Sequence, residues 1–419
     1  MQTKTDPVFD YIFGLTVPGV KLELGRVKQF IENIGNPYQA YSVIHIAGTN
    51  GKGSTSAMIA SIINAYGVKT GLFTSPHLVK PNERIRIGEI FIPNEFIVNR
   101  INAWRQQIEE LGLTFFEVLT ALGMDYFRQE TVEYAVFETG LGGRLDATNV
   151  VDPLACIITA ISMDHENILG DTLKQIATEK AGIIKAGKPV FLAKNNQEVR
   201  EVMEQKCMEV GTHLYYVPDF ANILSVHVAG TKQNIRIEFD GDVLEFSLPL
   251  LGHHQVENFC NVLVTLDGLG FELNSSVIQL GLDQMSWPGR IQTLQSSPLV
   301  LYDVAHNPAG LERLVESLIL SSHSKATIIA AFNARKNIKA MLDILASWRG
   351  QVLFAVFAGH SSIEKQVLMA MGVSNELIYS SLEGAYSRAL EIDQGKEAIC
   401  FFGSHYIAES LNDMFKSEK

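Results

Sequence analysis

Cysteine, tryptophan and surplus positive charge are all scarce in this chain. Its 4 cysteines, Cys156, Cys207, Cys260 and Cys400, lie too far apart in sequence for metal-ligand or redox spacing. That excludes a disulfide scaffold and a zinc ribbon, and the thiols read as reduced and mostly buried, as in a cytoplasmic protein. With 34 basic and 46 acidic residues the formal charge is −12, so bulk electrostatics exclude nucleic acid as a partner. A local basic site for an anionic substrate stays open. No uninterrupted apolar run reaches membrane-spanning length, so no membrane partner is expected. The first residues lack a basic region followed by an apolar core, so no secretory signal is expected. Internal repeats and low-complexity tracts are missing too. What the chain has is apolar material, 47% of 419 residues, enough for sizeable cores and for two domains.

Strand-like and helix-like periods alternate over most of the length. This predicts an α/β fold with mainly parallel sheets. In the first half, strands are expected at 43–47, 70–73, 134–138, 155–159 and 189–192. Helices are expected at 52–66, 94–111, 116–129, 173–181 and 197–210. The texture then changes to a small β insertion at 223–228, 234–239 and 243–248, with Asp240-Gly241 as a hairpin turn. A helix follows at 255–269. The stretch Ser286-Trp287-Pro288-Gly289-Arg290, followed by Gln295 to Pro298, breaks the pattern. The domain boundary is therefore placed at 295/296, giving domains 1–295 and 296–419. The second is a smaller Rossmann-like α/β unit, with strands at 299–302, 326–331, 352–356 and 398–402.

The run from Ile44 to Thr55 carries the most chemistry. An apolar strand enters the turn Gly48-Thr49-Asn50-Gly51-Lys52-Gly53, and a helix starts with Ser54 and Thr55 in its first turn. Glycines let backbone N–H groups face phosphates, the helix N-terminus adds positive potential, and Lys52 adds a point charge. The ordinary phosphate loop reads G-x-x-x-x-G-K-[ST]. Here Ile46 stands where its first glycine would be, and Gly53 follows the lysine. A kinase or GTPase usually has Ser or Thr in that place.

Five further segments carry candidate groups. Glu138 ends an apolar strand before Thr139-Gly140-Leu141-Gly142-Gly143-Arg144-Leu145-Asp146. Ligands in open α/β sheets collect beyond the carboxyl ends of strands, so Glu138 is placed to hold magnesium on nucleotide phosphates. In Thr74-Ser75-Pro76-His77, Ser75 either offers a hydroxyl to a metal or simply makes a turn. In Met163-Asp164-His165-Glu166, His165 either meets a metal or phosphate or is a surface residue, and Asp164 could orient its ring. Residues 176–185, with Lys180, fit an amphipathic helix with solvated lysines. Around the junction stand Asn258, Arg290, Asp303 and His306. Asn258 could read an adenine edge, Arg290 could counter phosphate charge and Asp303 follows a strand. A helix-surface amide, a linker ion pair and a helix cap are their plain alternatives.

Taken together, these segments resemble the folylpolyglutamate synthase/dihydrofolate synthase family, a branch of the Mur-type ATP-dependent amide ligases. The motifs that carry the resemblance are Ala47 to Ser54, Glu138 to Asp146, Thr74 to His77, Glu179 to Lys185 and Asp303 to Pro308. The early segment Leu22 to Arg26 matches the family's pterin-side loop loosely. The resemblance implies that Asn50, Gly51, Lys52 and Gly53 hold ATP phosphates, and that Asn258, Arg290 and Asp303 contact ATP. It implies one Mg2+ at Ser54 and Glu138, and a second at Ser75, Glu138 and His165. It also implies a carbamylated Lys180, Thr114 and Asp146 near the pteridine-bearing substrate, and His306 and Ser404 where glutamate enters. The substrates would be a folate or dihydropteroate together with L-glutamate, and the chain a cytoplasmic monomer. A substrate carboxylate would take the γ-phosphoryl group of ATP, and the amine of glutamate would attack the acyl phosphate. Closure of the two domains would keep water out. Rival readings are a cell-wall UDP-muramyl ligase and a non-ligase phosphate-loop nucleotide-binding protein. The sequence leaves open whether dihydropteroate is an acceptor.

Overall fold

The computed structural model describes residues 7–15, 23–334, 336–357, 362–394 and 396–415. Leu22, in the early segment matched to the pterin-side loop, lies outside them. The chain divides into two compact units. The first contains the residues up to Ile223 together with Ile237–Leu244 and Glu257–Ser286. The second contains Leu224–Arg236, Glu245–Val256 and the residues from Trp287 onward.

The first unit is built on an eight-stranded sheet. Its strands are β1 (Ser42–Ala47), β2 (Thr70–Phe73), β3 (Ile85–Ile87), β4 (Ile90–Phe91), β5 (Tyr134–Glu138), β6 (Ala155–Ile158), β7 (Val190–Leu192) and β8 (Leu214–Tyr216). They lie in the order β4-β3-β2-β5-β1-β6-β7-β8. The six strands from β2 to β8 in that order run parallel, while β3 and β4 add antiparallel pairs at one edge. Strands β2 and β6 are buried throughout and β1 nearly so, as expected of parallel strands covered on both faces. One apolar cluster gathers Phe30, Phe73, Phe127 and Phe137, and another gathers Cys156, Ile158, Ile176 and Met203.

Register positions the site. Ile46 of β1 stands opposite Glu138 of β5, and Ala47 opposite Ile158 of β6. Phe73 of β2 stands opposite Phe137. The chain leaves β1 for β2, beyond β5, and later places β6 on the other side of β1. Strand order thus reverses at β1, the place where α/β sheets bind ligands. The carboxyl ends of β2, β5, β1 and β6 stand side by side there.

A three-stranded sheet follows, in the order β11-β10-β9, from β9 (Ala221–Ala229), β10 (Lys232–Phe239) and β11 (Asp242–Leu248). Asp240 and Gly241 turn between β10 and β11 with φ of 50° and 87°, the left-handed pair that a tight hairpin needs. The second unit holds a six-stranded sheet of β12 (Gln292–Ser296), β13 (Leu299–Asp303), β14 (Thr327–Ala330), β15 (Val352–Ala355), β16 (Ile378–Tyr379) and β17 (Ile399–Phe402). Its order is β12-β13-β17-β14-β15-β16, parallel except for β12 against β13. Its core includes Leu311, Ile328, Phe332 and Phe402. The expected boundary at 295/296 falls inside β12.

The expected long helices and central strands are present within a few residues. The short elements 7–14, 25–33, β3, β4, β8, β12 and β16 were not anticipated, because two to nine residues carry too little periodicity to read.

Candidate active site

The phosphate-type loop connects β1 to the helix Lys52–Ala65. Gly51 caps that helix with a φ of 93°, a left-handed conformation that glycine takes without steric cost. A Cβ there would stand 2.4 Å from Asn258 Oδ1, so the glycine also makes room for the Asn258 side chain. The loop is tied to the end of β6. Backbone N–H groups of Thr49 and Asn50 donate to the Ala160 carbonyl at 2.9 and 3.1 Å. Thr49 Oγ1 donates to the Ser162 carbonyl at 3.0 Å, and Asn50 Nδ2 donates to Ser162 Oγ at 3.1 Å.

Lys52 curls back over this loop. Its Nζ donates to the Thr49 carbonyl at 3.2 Å and lies 4.0 Å from Glu138 Oε1. The other carboxylate oxygen, Glu138 Oε2, accepts the Ser75 N–H at 3.0 Å. Three strand ends thus meet at one carboxylate, as the register dictates. The Ser54 hydroxyl is buried and has no hydrogen-bond partner among the described residues. A buried hydroxyl left unpartnered costs about 1–3 kcal/mol. Such an atom is expected where a ligand completes the site.

Lys180 is the least expected member. It is only 4% exposed, so the solvated-lysine alternative fails. Its Nζ donates to the Gly48 carbonyl at 2.7 Å, behind the loop. Burial, and then the charge of Lys52, bring its pKa down to about 7. The glycine-rich turn after β5 presses on it: a Cβ on Gly143 would meet the Lys180 backbone at 2.9–3.0 Å.

Residues 46–266 match the Mur ligase middle domain. Over 431 aligned residues the chain is 32% identical to the dihydrofolate synthase/folylpolyglutamate synthase of Bacillus subtilis (strain 168), covering 99% of this chain and 100% of that one. The chain belongs to the folylpolyglutamate synthase/dihydrofolate synthase family. The Mycobacterium tuberculosis folylpolyglutamate synthase complexed with ADP superposes with a TM-score of 0.91 at 27% identity, covering 98% of each chain. An FPGS–AMPPCP–folate complex superposes with a TM-score of 0.86 at 30% identity, covering 97% of this chain and 98% of that one. These findings decide against the UDP-muramyl and non-ligase readings, since the match to the folate branch runs the full length.

The remaining residues expected from this ligase family fall into separate local settings. Thr114 caps the helix Phe115–Gln129: its Oγ1 accepts the Glu117 N–H at 3.4 Å, and Glu117 Oε2 accepts the Thr114 N–H at 2.7 Å. Glu117 also pairs with Arg26 at 3.2 Å. Asp146 is buried and caps the short helix Ala147–Val150. Burial raises its pKa, while hydrogen bonds from Thr148, Leu141 and Gly140 oppose the rise. His165 sits at the exposed start of the helix Glu166–Leu169, its Nε2 3.9 Å from Asp164 Oδ2.

In the second unit, Asp303 ends β13 and is buried. Its Oδ2 accepts the Ile291 N–H at 3.0 Å and its Oδ1 the Ala305 N–H at 2.8 Å. Burial raises its pKa, and the Arg290 charge opposes this. His306 places Nδ1 2.9 Å from the Val304 carbonyl, with its ring 6.0 Å from that of His405. Ser404 is buried at the end of β17, where its carbonyl accepts the Tyr302 hydroxyl at 3.1 Å and its Oγ the Tyr406 N–H at 3.1 Å.

Sequence reasoning missed Ser162, which steadies Thr49 and Asn50. It lies one residue before the segment singled out at Met163. It also missed His45 and Thr148, both fully buried, with Thr148 standing between His45 and Asp146. A histidine inside an otherwise apolar strand was the available signal.

Proposed function

We propose that this chain is an ATP-dependent ligase that adds L-glutamate to the γ-carboxylate of tetrahydrofolate, with dihydropteroate as the other candidate acceptor. One observation carries the reading: Lys52 lies 4.0 Å from Glu138 while the Ser54 hydroxyl is buried without a partner among the described residues. That donor set suits a magnesium nucleotide. Magnesium keeps several waters, takes phosphate oxygens and needs only one or two protein carboxylates. In keeping with this, the described residues hold no cluster of three or more His, Cys, Asp or Glu that would bind a metal by themselves.

Asn50, Gly51, Lys52 and Gly53 hold the ATP phosphates, and Asn258, Arg290 and Asp303 contact ATP as well. Ser54 with Glu138, and Ser75 with Glu138 and His165, would hold two Mg2+ ions, whose charge would neutralise the phosphates when bound. Thr114 and Asp146 would lie near the folate, and His306 and Ser404 near the incoming glutamate. The substrate carboxylate attacks the γ-phosphorus and ADP leaves, giving an acyl phosphate. Lys52 stabilises the charge on the transferring phosphoryl group. The amine of glutamate, having lost its proton to a base or water, attacks the acyl carbon, and inorganic phosphate leaves as the amide forms. Lys180 is the site for a carbamate. A buried amine with a pKa of about 7 is about half unprotonated at neutrality, where an ordinary lysine is almost wholly protonated, and the unprotonated form is the one that takes up carbon dioxide. In this reading residues 1–295 form the ATP-binding domain, 296–419 the glutamate domain, and the protein is a cytoplasmic monomer. Among the described residues no helix is long and apolar enough to cross a membrane.

The test is ADP release with tetrahydrofolate and with dihydropteroate, each with and without glutamate. Glutamate-dependent turnover with tetrahydrofolate is expected. Its absence with both acceptors overturns the reading.

A further inference from the structure

His45 lies in the middle of β1, the strand that delivers the phosphate-type loop, and is fully buried. Its Nε2 stands 2.8 Å from Thr148 Oγ1. The same hydroxyl stands 2.5 Å from Asp146 Oδ1, which also accepts the Thr148 N–H at 3.0 Å. Asp146 Oδ2 accepts the Leu141 N–H at 2.8 Å. The chain of contacts therefore runs from the centre of the sheet, through Thr148 and Asp146, to the glycine-rich turn after Glu138.

Proton counting gives this relay a direction. Both oxygens of Asp146 accept backbone N–H groups, which favours the ionised, acceptor-only carboxylate against the rise that burial brings. The single hydroxyl hydrogen of Thr148 then goes to Asp146. The Thr148 oxygen must accept from His45, which fixes the ring as the Nε2–H tautomer. His45 Nδ1 is buried with no hydrogen-bond partner among the described residues. A bare lone pair there is tolerable, whereas a second N–H would be an unpartnered donor. Burial first, and the charge of Lys185 second, hold the ring pKa down to about 3, so the neutral form agrees with the geometry.

The turn that this relay holds has little room to move. A Cβ on Gly140 would meet the Phe116 ring at 2.5 Å, and one on Gly143 would meet the Lys180 backbone. A shift of Asp146 is therefore felt at Leu141, whose N–H it accepts, within a turn packed against Phe116 and the Lys180 backbone. We propose that His45 is a positioning residue for the ligase reaction: through Thr148 it holds Asp146, and with it the turn 140–143, in the arrangement that receives the folate. This inference rests on the functional reading above. His45 itself touches no substrate in it.

Thr148→Val keeps the side-chain shape and removes both hydroxyl contacts. The KM for tetrahydrofolate should rise about tenfold, the scale for losing a hydrogen bond to a charged group, while the KM for ATP stays within about twofold. Thr148→Ser restores the hydroxyl and should return both values to within about twofold of wild type. In the wild-type protein carrying 15N-labelled histidine, the ring-nitrogen signals should include one neutral Nε2–H ring that Thr148→Val perturbs. An equal rise in both KM values, no recovery in Thr148→Ser, or an Nδ1–H ring at His45 overturns the proposal. If Thr148→Val fails to fold, the wild-type ring signals, assigned by loss in His45→Gln, decide. A wild-type protein without glutamate-dependent turnover is a separate failure. It removes the functional reading, while the ring signals still decide whether the relay exists.

Discussion

Replacing Lys180 with methionine keeps the length of the side chain and removes its charge. In the folded protein, burial and then the Lys52 charge bring the Lys180 pKa from 10.5 to about 7. In the unfolded chain the amine keeps its proton up to about pH 10.5. Between those values the unfolded state binds more protons than the folded state, so stability rises with pH. The cost of burying the ammonium is felt in full below about pH 7 and is relieved as the pH climbs. From pH 7 to pH 9 the linkage relation gives a relief of about 2 kcal/mol from this one residue.

Urea unfolding at pH 7, 8 and 9 in carbon-dioxide-free buffer, which keeps Lys180 an amine, measures it. The stability of wild type relative to Lys180→Met should climb by about 2 kcal/mol across that range. Staying at or below pH 9 limits the cysteines, whose thiols burial pushes up to about 12 at Cys156 and about 11 at Cys207. Those groups act with the opposite sign, because above their ordinary value the unfolded state alone loses protons. Parallel pH profiles for the two proteins would refute the reasoning, since they would mean that the amine is not desolvated in the folded state.

Lys180→Ala should lose turnover and regain part of it with added short carboxylates, and wild-type activity in that variant removes the carbamate. Ser54→Ala should lower kcat/KM by about 10–100-fold while leaving the melting temperature unchanged or slightly raised, because the hydroxyl has no partner to lose. A large drop in melting temperature would show that Ser54 is structural. Gly51→Ala meets a backbone penalty of about 1–2 kcal/mol at its positive φ, besides a contact at 2.4 Å from Asn258 Oδ1. Its KM for ATP should rise well above that for tetrahydrofolate, as steady-state kinetics with each substrate varied will show.

Much of the fold was legible because its signals are local and long. The helix 94–111 has its whole apolar stripe written in sequence, and its observed bounds are the expected ones. The turn Asp240-Gly241 is readable because few dipeptides accept two left-handed residues in a row. Short edge strands such as β4, with Ile90 and Phe91 both exposed, carry no such signal. Their existence depends on a neighbouring strand offering free backbone groups.

Within the site, the residue types and their order along the chain follow from sequence. A glycine-rich loop with Lys52 and Ser54, a strand-end Glu138 and the family motifs define which groups are available. Only the tertiary structure decided how they are used. Parallel register set Ile46 against Glu138 and so brought Lys52, Glu138 and the Ser75 N–H together across some ninety residues of chain. Packing drove Lys180 out of water and onto the Gly48 carbonyl, where an amphipathic helix alone would have left it solvated. It likewise tied His45 to Asp146 through Thr148, contacts that span 103 residues. Sequence patterns report what one segment does in water, whereas desolvation and hydrogen-bond pairing at long range exist only once the sheet has formed.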